Sequence, residues 1–504
     1  MKLSKGFKVV AFIVLITLLV GVVGAFFIAD IAKDKIEQEL SKNFKVNIAD
    51  VDINLLNTTA FIDSIQLSSK NRDKDSIHVQ LKSVNINFSS LFNVLCSDDI
   101  KISEIRLEHP SVEIYKAKVD STTEKQPTSD FKKSFEIKNL TVKNGSIAMY
   151  NIADSLDTTA KNIEVLLEDL LVSKETITKK IPFQYTLKSV RLSEIYKDIN
   201  DIQELRVQSF HVEHSKIEVG GLALEPKYSK KEYVNHIPYQ TDWMDLQIQS
   251  VVVNDYSFDL LKEKPEVIIP EINIDGANFQ LYRDKKVQRE FSFKPLYSKM
   301  LRDLNADLKV DSIDIANSTI VYEEKLPERD EAGKLTFDDL HIAIANIDNI
   351  NKGKKTRINI DSKFLKEAPL HIDWMFDIHN EQDYFEIQGS LGTVSVKELN
   401  NFLKPNMRIE LDGKVDDVLF NFYGTDSSAK GAFSITYNNL EVAVLNKNNK
   451  RKKNKVLSAI ANIFVKKDKE KFKQQEIAVD RTKYKSFFNY FWLCIQDGLK
   501  KSVL

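Results

Sequence analysis

Side chains able to do chemistry are scattered thinly along this chain of 504 residues. It has eight histidines, and His211 and His214 are the only close pair. They fall within or beside a predicted strand, where residues three apart face opposite sides, so a shared metal is not expected. Cys96 and Cys494, the two cysteines, lie far apart and match no ligand or disulfide spacing. There is no Gly-x-Ser-x-Gly elbow, no glycine-rich phosphate loop and no His-Glu-x-x-His zinc helix. Acidic residues mostly alternate with apolar ones, as on solvated strand faces. The expectation is a protein with no catalytic residues, no metal and no cofactor, and not an enzyme.

What does recur is an apolar spacing. Ile102, Ile105, Leu107, Val112 and Ile114 flank a central His109-Pro110-Ser111. The same pattern returns in Ile137, Leu140, Val142, Ile147 and Met149, and in Val207, Phe210, Val212, Ile217 and Val219. It returns again in Ile248, Val251, Val253, Phe258 and Leu260, in Ile269, Ile272, Ile274, Phe279 and Leu281, and in Val310, Ile313, Ile315, Ile320 and Tyr322. Ile105 and Leu107 alternate with polar neighbours, as do Val112 and Ile114, the period of a strand with one buried face. Between the halves stand turn-forming pairs such as Asn144-Gly145, Asp275-Gly276 and Asn317-Ser318. Each copy therefore reads as a β-hairpin, and the copies together as a long meandering antiparallel sheet.

Two ends frame that sheet. Val9 to Ala29 is a run of 21 uncharged, mostly apolar residues, which as a helix would span about 31 Å, the thickness of a bilayer core. Lys2, Lys5 and Lys8 precede it and Asp30 follows, so residues 1–8 are expected in the cytoplasm and the bulk of the chain outside. An uncleaved anchor is preferred over a cleavable signal peptide, because the apolar run is long and only a weak small-residue site stands near Ala29 and Ala32. Residues 30–45 read as a juxtamembrane helix and 46–445 as the sheet. Phe293, Leu296, Tyr297, Met300, Leu301 and Leu304 mark an amphipathic helix over 293–304 within it. Ser193 to Ile199 reads as a helical turn, and Val119–Asp130 and Pro226–Thr241 as loops. Gly389, Gly392, Gly413, Gly424 and Gly431 suggest turns or bulges late in the sheet.

Net charge is −1 overall, yet Lys447 to Leu504 carries sixteen Lys/Arg against five Asp/Glu, a net of +11. Residues 446–504 read as basic amphipathic helices, the first around Val456 to Phe464. The second places Phe488, Phe491, Trp492, Ile495 and Leu499 opposite lysines that include Lys500 and Lys501. That arrangement suits either an interfacial membrane helix or a cap over the last strand. The basic run is short and its aromatics sit on a helix, so nucleic-acid binding is not expected.

A one-sided sheet with few helices must pack on itself or curl into a trough. A trough lined with Ile, Val, Leu and Phe suits acyl chains, since each methylene shielded from water gains about 0.8 kcal/mol. The candidate lining is Ile102, Ile105, Leu107, Val112, Ile114, Ile137, Leu140, Val142, Ile147, Val207, Phe210, Val212, Ile248, Val251, Val253, Ile269, Ile272, Ile274, Val310, Ile313, Ile315 and Ile320.

The chain resembles the AsmA-like family of envelope proteins, which are related to TamB-type and chorein-type bridge-like lipid transfer proteins. The features that carry the resemblance are the anchor Val9–Ala29, the strands Val46–Ile53 and Ala60–Leu67, and the unit Ile102–Tyr115. To these are added Pro295-Leu296-Tyr297-Ser298-Lys299-Met300-Leu301-Arg302 leading into Val310–Glu324, and the ending Phe488-Asn489-Tyr490-Phe491-Trp492 with Gly498-Leu499-Lys500. The resemblance implies an inner-membrane anchor, a periplasmic β-groove in a Gram-negative-type envelope, and a phospholipid cargo. It also implies a role in moving that lipid toward the outer membrane or keeping its lipids balanced. At one strand per 20 residues the exported part holds roughly 23 strands, about 110 Å of sheet. That falls short of a periplasmic crossing, so either an outer-membrane or periplasmic partner protein at the C-terminal end completes the bridge, or the protein acts close to the inner membrane. The alternative is a scaffold for envelope assembly that receives other proteins along its strand edges.

Overall fold

The computed structural model describes residues 44–70, 75–90, 99–117, 134–177, 183–259, 262–445, 468–469 and 474–503. The expected anchor, the helix Ile31–Leu40, the loop Val119–Asp130, Cys96 and the first tail helix lie outside them. Among the described residues 23 strands form one mixed sheet. The chain divides into two compact units, Met1–Ile199 with Leu205–Gly220, and Asn200–Glu204 with Gly221–Leu504.

In the first unit, β1 (Phe44–Asn54), β2 (Thr59–Ser69) and β3 (Ser76–Phe88) pair antiparallel in sequence order. β1 starts inside the span expected to be juxtamembrane helix. Next come β4 (Asp99–Glu108) and β5 (Ser111–Tyr115), which lie end to end along β3. Both pair parallel with β6 (Ser134–Tyr150), which in turn pairs antiparallel with β7 (Leu156–Val172) and β7 with β8 (Gln184–Asn200). Ser193–Ile199, read from sequence as a helical turn, belongs to strand β8. β9 (Gln203–Glu213) and β10 (Lys216–Pro226) pair as a hairpin that turns at His214-Ser215.

In the second unit, β11 (Trp243–Asn254) and β12 (Ser257–Asp259) lie end to end along β13 (Glu266–Asp284). β13 pairs parallel with β14 (Asp307–Lys325). From β14 the sheet continues antiparallel through β15 (Gly333–Asp348), β16 (Thr356–Phe364), β17 (Ala368–Phe376) and β18 (Phe385–Leu391). β19 (Val394–Ser395) and β18 both pair with β20 (Ile409–Gly424), and β20 pairs with β21 (Ser428–Val444). β22 (Asp468–Lys469) and β23 (Gln475–Asp480) add to β21, so part of the tail expected to be helical is strand. Besides single turns, three helices are described: α1 (Tyr297–Arg302), α2 (Val396–Met407) and α3 (Phe487–Val503). α1 is half the length read from its apolar stripe, since Phe293 and Leu304 fall outside it.

The sheet is therefore mixed rather than antiparallel, and only the Val207–Val219 copy is a hairpin. β6, β13 and β14 run straight through the pairs Asn144-Gly145, Asp275-Gly276 and Asn317-Ser318 that were expected to reverse the chain. These positions do take up left-handed backbone: φ is 52° at Asn144, 68° at Gly276 and 50° at Asn317. That conformation, accessible to Asn and Gly at low cost, serves a bulge as well as a tight turn. The bulges stack across neighbouring strands, His109 beside Asn144 and Gly276 beside Asn317. Asn317 Nδ2 donates to Asp275 Oδ1 at 2.6 Å and the Ala277 amide to Ser318 Oγ at 3.0 Å, tying one pair of bulges together. The repeat spacing now has a physical cause. A step of five, as from Leu107 to Val112 or Ile315 to Ile320, would flip faces in a regular strand. One extra bulged residue restores the face.

Candidate functional site

The second unit lines up its apolar residues in two rows across six adjacent strands, β11 and β13 to β17. One row runs Val251, Ile274, Ile315, Ile342, Ile360, Ile372, and the other runs Val253, Ile272, Ile313, Ile344, Ile358, Trp374. Every one of these side chains is partly exposed. At about 4.8 Å between strands the rows extend roughly 24 Å across the sheet. β-branched residues dominate because they suit a pleated surface and pack against their cross-strand neighbours.

The row between them faces the other way and is mostly polar: from Val252 it passes through Asn273, Asp314, Ala343, Asn359, Asp373 and Gln388 as successive partners. Its side chains bond to one another or to nearby groups on that face. His341 Nε2 lies 2.7 Å from Asp314 Oδ2, His371 Nδ1 2.8 Å from Asp361 Oδ1, and Gln388 Nε2 donates to Asp373 Oδ2 at 3.1 Å. The Asp361 hydrogen bond holds the His371 pKa above its ordinary value, with Asp373 adding to it. Asp373 is held low by its hydrogen bonds from Gln388 and Asn359, which outweigh burial.

Past β17 the two rows continue into a closed core. Ile387, Phe420, Phe422 and Phe433 are buried with Phe487, Tyr490 and Cys494 of α3. Gly498 lets α3 approach: a Cβ there would stand 2.3 Å from Phe433 Cγ. Gly389 likewise leaves the space that the Phe420 ring fills. Burial pushes the Cys494 thiol up to about 12. α2 docks through Asn400, whose side chain accepts from the Leu411 amide and donates to the Leu411 carbonyl, each at 2.8 Å, imitating a strand neighbour.

The chain between β13 and β14 returns to the start of a parallel strand, and its α1 packs over this face. Leu296 is buried in the α3 core, and the Tyr297 ring meets Trp374 at 5.5 Å and Phe487 at 6.2 Å. Arg302 fixes it, donating to Asp383 Oδ1 at 2.8 Å and to the carbonyls of Ile378 and Asn380, while Ser298 Oγ donates to the same Asp383 oxygen at 2.9 Å.

The first unit has the same two-row pattern with a different outcome. Ile53, Ala60, Ile86, Ile105, Leu140 and Leu167 form one row, and Val51, Ile62, Val84, Leu107, Val142 and Val165 the other. Here Ile102, Ile105 and Ile137 are at most 1% exposed and pack with Ile62, Ile65, Phe135 and Val172 in one core. A bulge at Ser103 lets Ile102 and Ile105, three apart, join the same core. Of the remaining candidate lining residues, Ile114, Leu140, Val207, Val212, Ile269 and Val310 are buried. Leu107, Val112, Val142, Ile147, Phe210, Ile248 and Ile320 are partly exposed.

The tail residues divide by helix face. Phe491, Ile495 and Leu499 pack on the sheet core, Phe491 meeting the Phe420 ring at 5.4 Å. Phe488 and Trp492 face outward, and Lys500 is exposed. Lys501 Nζ donates to Asp497 Oδ2 at 2.9 Å and to the Glu476 carbonyl at 3.0 Å, across to β23. The helix thus covers the late strands.

Sequence reasoning missed half of the partly exposed rows, namely Ile342, Ile344, Ile358, Ile360, Ile372 and Trp374. Their plain alternation was a signal, but they lack the bulged spacing that marked the other copies. His211 sits in β9 against Glu213 and Glu218, at 3.3 and 3.4 Å, while His214 occupies the left-handed turn position. No three His, Cys, Asp or Glu residues gather as metal ligands among the described residues. No protein-family model and no curated protein matches this chain.

Proposed function

We propose that this protein holds phospholipid acyl chains on the apolar face of its second unit and passes them along it. In this reading it is an AsmA-like envelope protein, tethered to the inner membrane by Val9–Ala29 with its bulk in the periplasm. The observation that carries the reading is the double row from Val251 and Val253 to Ile372 and Trp374, aligned strand to strand and still partly exposed. Partly exposed aliphatic side chains in so continuous an array suit a binding surface better than scattered surface hydrophobes do. The rows' reach of about 24 Å exceeds the roughly 15 Å that one leaflet of a hydrocarbon core allows an acyl chain. Ten methylenes shielded on one side only would gain about 4 kcal/mol, half the value of full burial. Contacts between equivalent Ile and Val rungs let such a chain slide without a deep trap. The polar face behind, with its Asp, Asn and His ladder, stays in water.

The test is site-specific photocross-linking in the full chain, followed by mass spectrometry. Benzoylphenylalanine in place of Ile315 or Ile344 is expected to capture phospholipid, and in place of Asp314 to capture none. Equal capture from Asp314 and Ile315, or a purified protein without lipid, overturns the reading.

A further inference from the structure

The segment joining β13 to β14 carries side chains that neither the sheet nor the carriage reading uses. Phe291 is 71% exposed and Phe293 is exposed beside it. Both stand against the segment leading into α3: the Phe291 ring meets Tyr484 at 4.9 Å, the Arg481 guanidinium lies 6.0 Å from the Phe293 ring, and the Lys294 amide donates to the Lys483 carbonyl at 2.9 Å. On α3, Phe488 is 63% exposed and Trp492 36% exposed, one turn apart on the outer side of the helix. Large aromatics thus project from two stitched segments, while the inner side of the same helix is packed into the core.

The charges around these rings are mostly positive: Glu290 pairs with Lys294, and Asp426 with both Lys483 and Arg481, which leaves cations in excess. Burial holds the Lys485 pKa down, and the charges of Arg289 and Lys285 add to it. Lys285 is neutralised by Glu324 at 2.5 Å. Neither Arg289 nor Lys485 has a carboxylate partner among the described residues. Two cations held near one another without counter-charge cost energy that an incoming anion removes. Aromatic rings beside such cations match the headgroup level of a bilayer, where the rings enter the interface and the cations meet phosphate.

We propose that Phe291, Phe488 and Trp492, with Arg289 and Lys485, form a docking surface for an anionic phospholipid bilayer. The surface lies outside the two apolar rows and does not depend on their carrying lipid. It places a membrane contact at the joint between the β13–β14 connection and α3.

The test is flotation of the full chain, transferred from detergent to amphipol, with preformed phosphatidylcholine vesicles with or without phosphatidylglycerol. Every variant keeps the same N-terminus, so differences report the patch. Wild type is expected to float with phosphatidylglycerol vesicles, and less as salt rises. Arg289→Glu with Lys485→Glu should reduce flotation about tenfold or more, and Phe291→Ser with Phe488→Ser should do the same on vesicles of either composition. Arg289 and Lys485 are partly exposed and make no ion pair among the described residues, so the charge pair tests the idea even where the aromatic pair perturbs folding. Ile313→Asp, on the apolar rows, should float as wild type does while losing copurified lipid, which separates this proposal from carriage. Flotation indifferent to phosphatidylglycerol, unchanged flotation in the charge pair, or a loss of self-association in the variants with flotation intact would each overturn it.

Discussion

An aspartate placed at Ile105 or at Ile313 separates a filled face from an open one. Both are rungs of an apolar row, Ile105 between Ile86 and Leu140 and Ile313 between Ile272 and Ile344. Ile105 is 0% exposed. Removing its side chain costs about 2–5 kcal/mol, and a carboxyl left there without partners adds about 1–3 kcal/mol. A penalty of about 3–8 kcal/mol consumes much of the roughly 5–15 kcal/mol that holds a typical domain folded. Ile313 is partly exposed, so its aspartate can turn to water and should cost only about 1–2 kcal/mol. Hydrogen exchange read by mass spectrometry resolves the two units. Tryptophan fluorescence reports on the second alone, since Trp243, Trp374 and Trp492 all lie there. Ile105→Asp is expected to open β3, β4 and β6 to exchange, whereas Ile313→Asp should keep wild-type protection and lose bound lipid. If Ile313→Asp unfolds its unit as thoroughly as Ile105→Asp does, the second face is closed and the reasoning fails.

Three further outcomes follow from local geometry. Asp383→Ala leaves the Arg302 guanidinium facing carbonyls alone in a mostly buried site. It should destabilise the α1 connection by about 3 kcal/mol, seen as faster exchange over residues 296–306, and no change there would refute the clasp. Gly498→Val cannot keep α3 against Phe433. In a Cys96→Ser background Cys494 should pass from inert to reactive toward a thiol reagent at pH 8, because burial no longer holds its pKa up; continued inertness would show that the helix tolerates the bulk. His371 should titrate above 6.5 by nuclear magnetic resonance, and Asp361→Asn should lower that value. Because the folded pKa is raised, the associated stabilisation is complete below the unfolded value and disappears as pH rises through the folded one. It should be small, since His371 is half exposed and its partners are screened by water.

Much of the second unit's surface was legible in the alternation of Ile272, Ile274, Ile313 and Ile315, because side-chain direction in a strand follows from sequence spacing. The loop Pro226–Thr241 was legible too: β10 ends at Pro226 and β11 begins at Trp243. Chain direction was not. A residue with left-handed backbone reverses the chain at His214-Ser215, but only bends it at Asn144 and Asn317. What decides is whether a neighbouring strand lies alongside both halves, as β7 does along β6. The apolar stripe of 293–304 was likewise real, yet only Tyr297–Arg302 is helical, because the chain must also travel back along β13 to start β14 in parallel.

The sequence alone determined that the chain is mostly β, that its strands are two-faced, and that apolar residues share one face, since these rest on local side-chain periodicity. Tertiary structure decided the rest. It turned presumed hairpins into bulged strands, set some of them parallel, and gave equal patterns opposite fates. Ile105 and Ile313 occupy the same place in their repeats, but burial depends on what packs over a side chain, and spacing along the chain carries no record of that. One became core, and the other remains part of a partly exposed row.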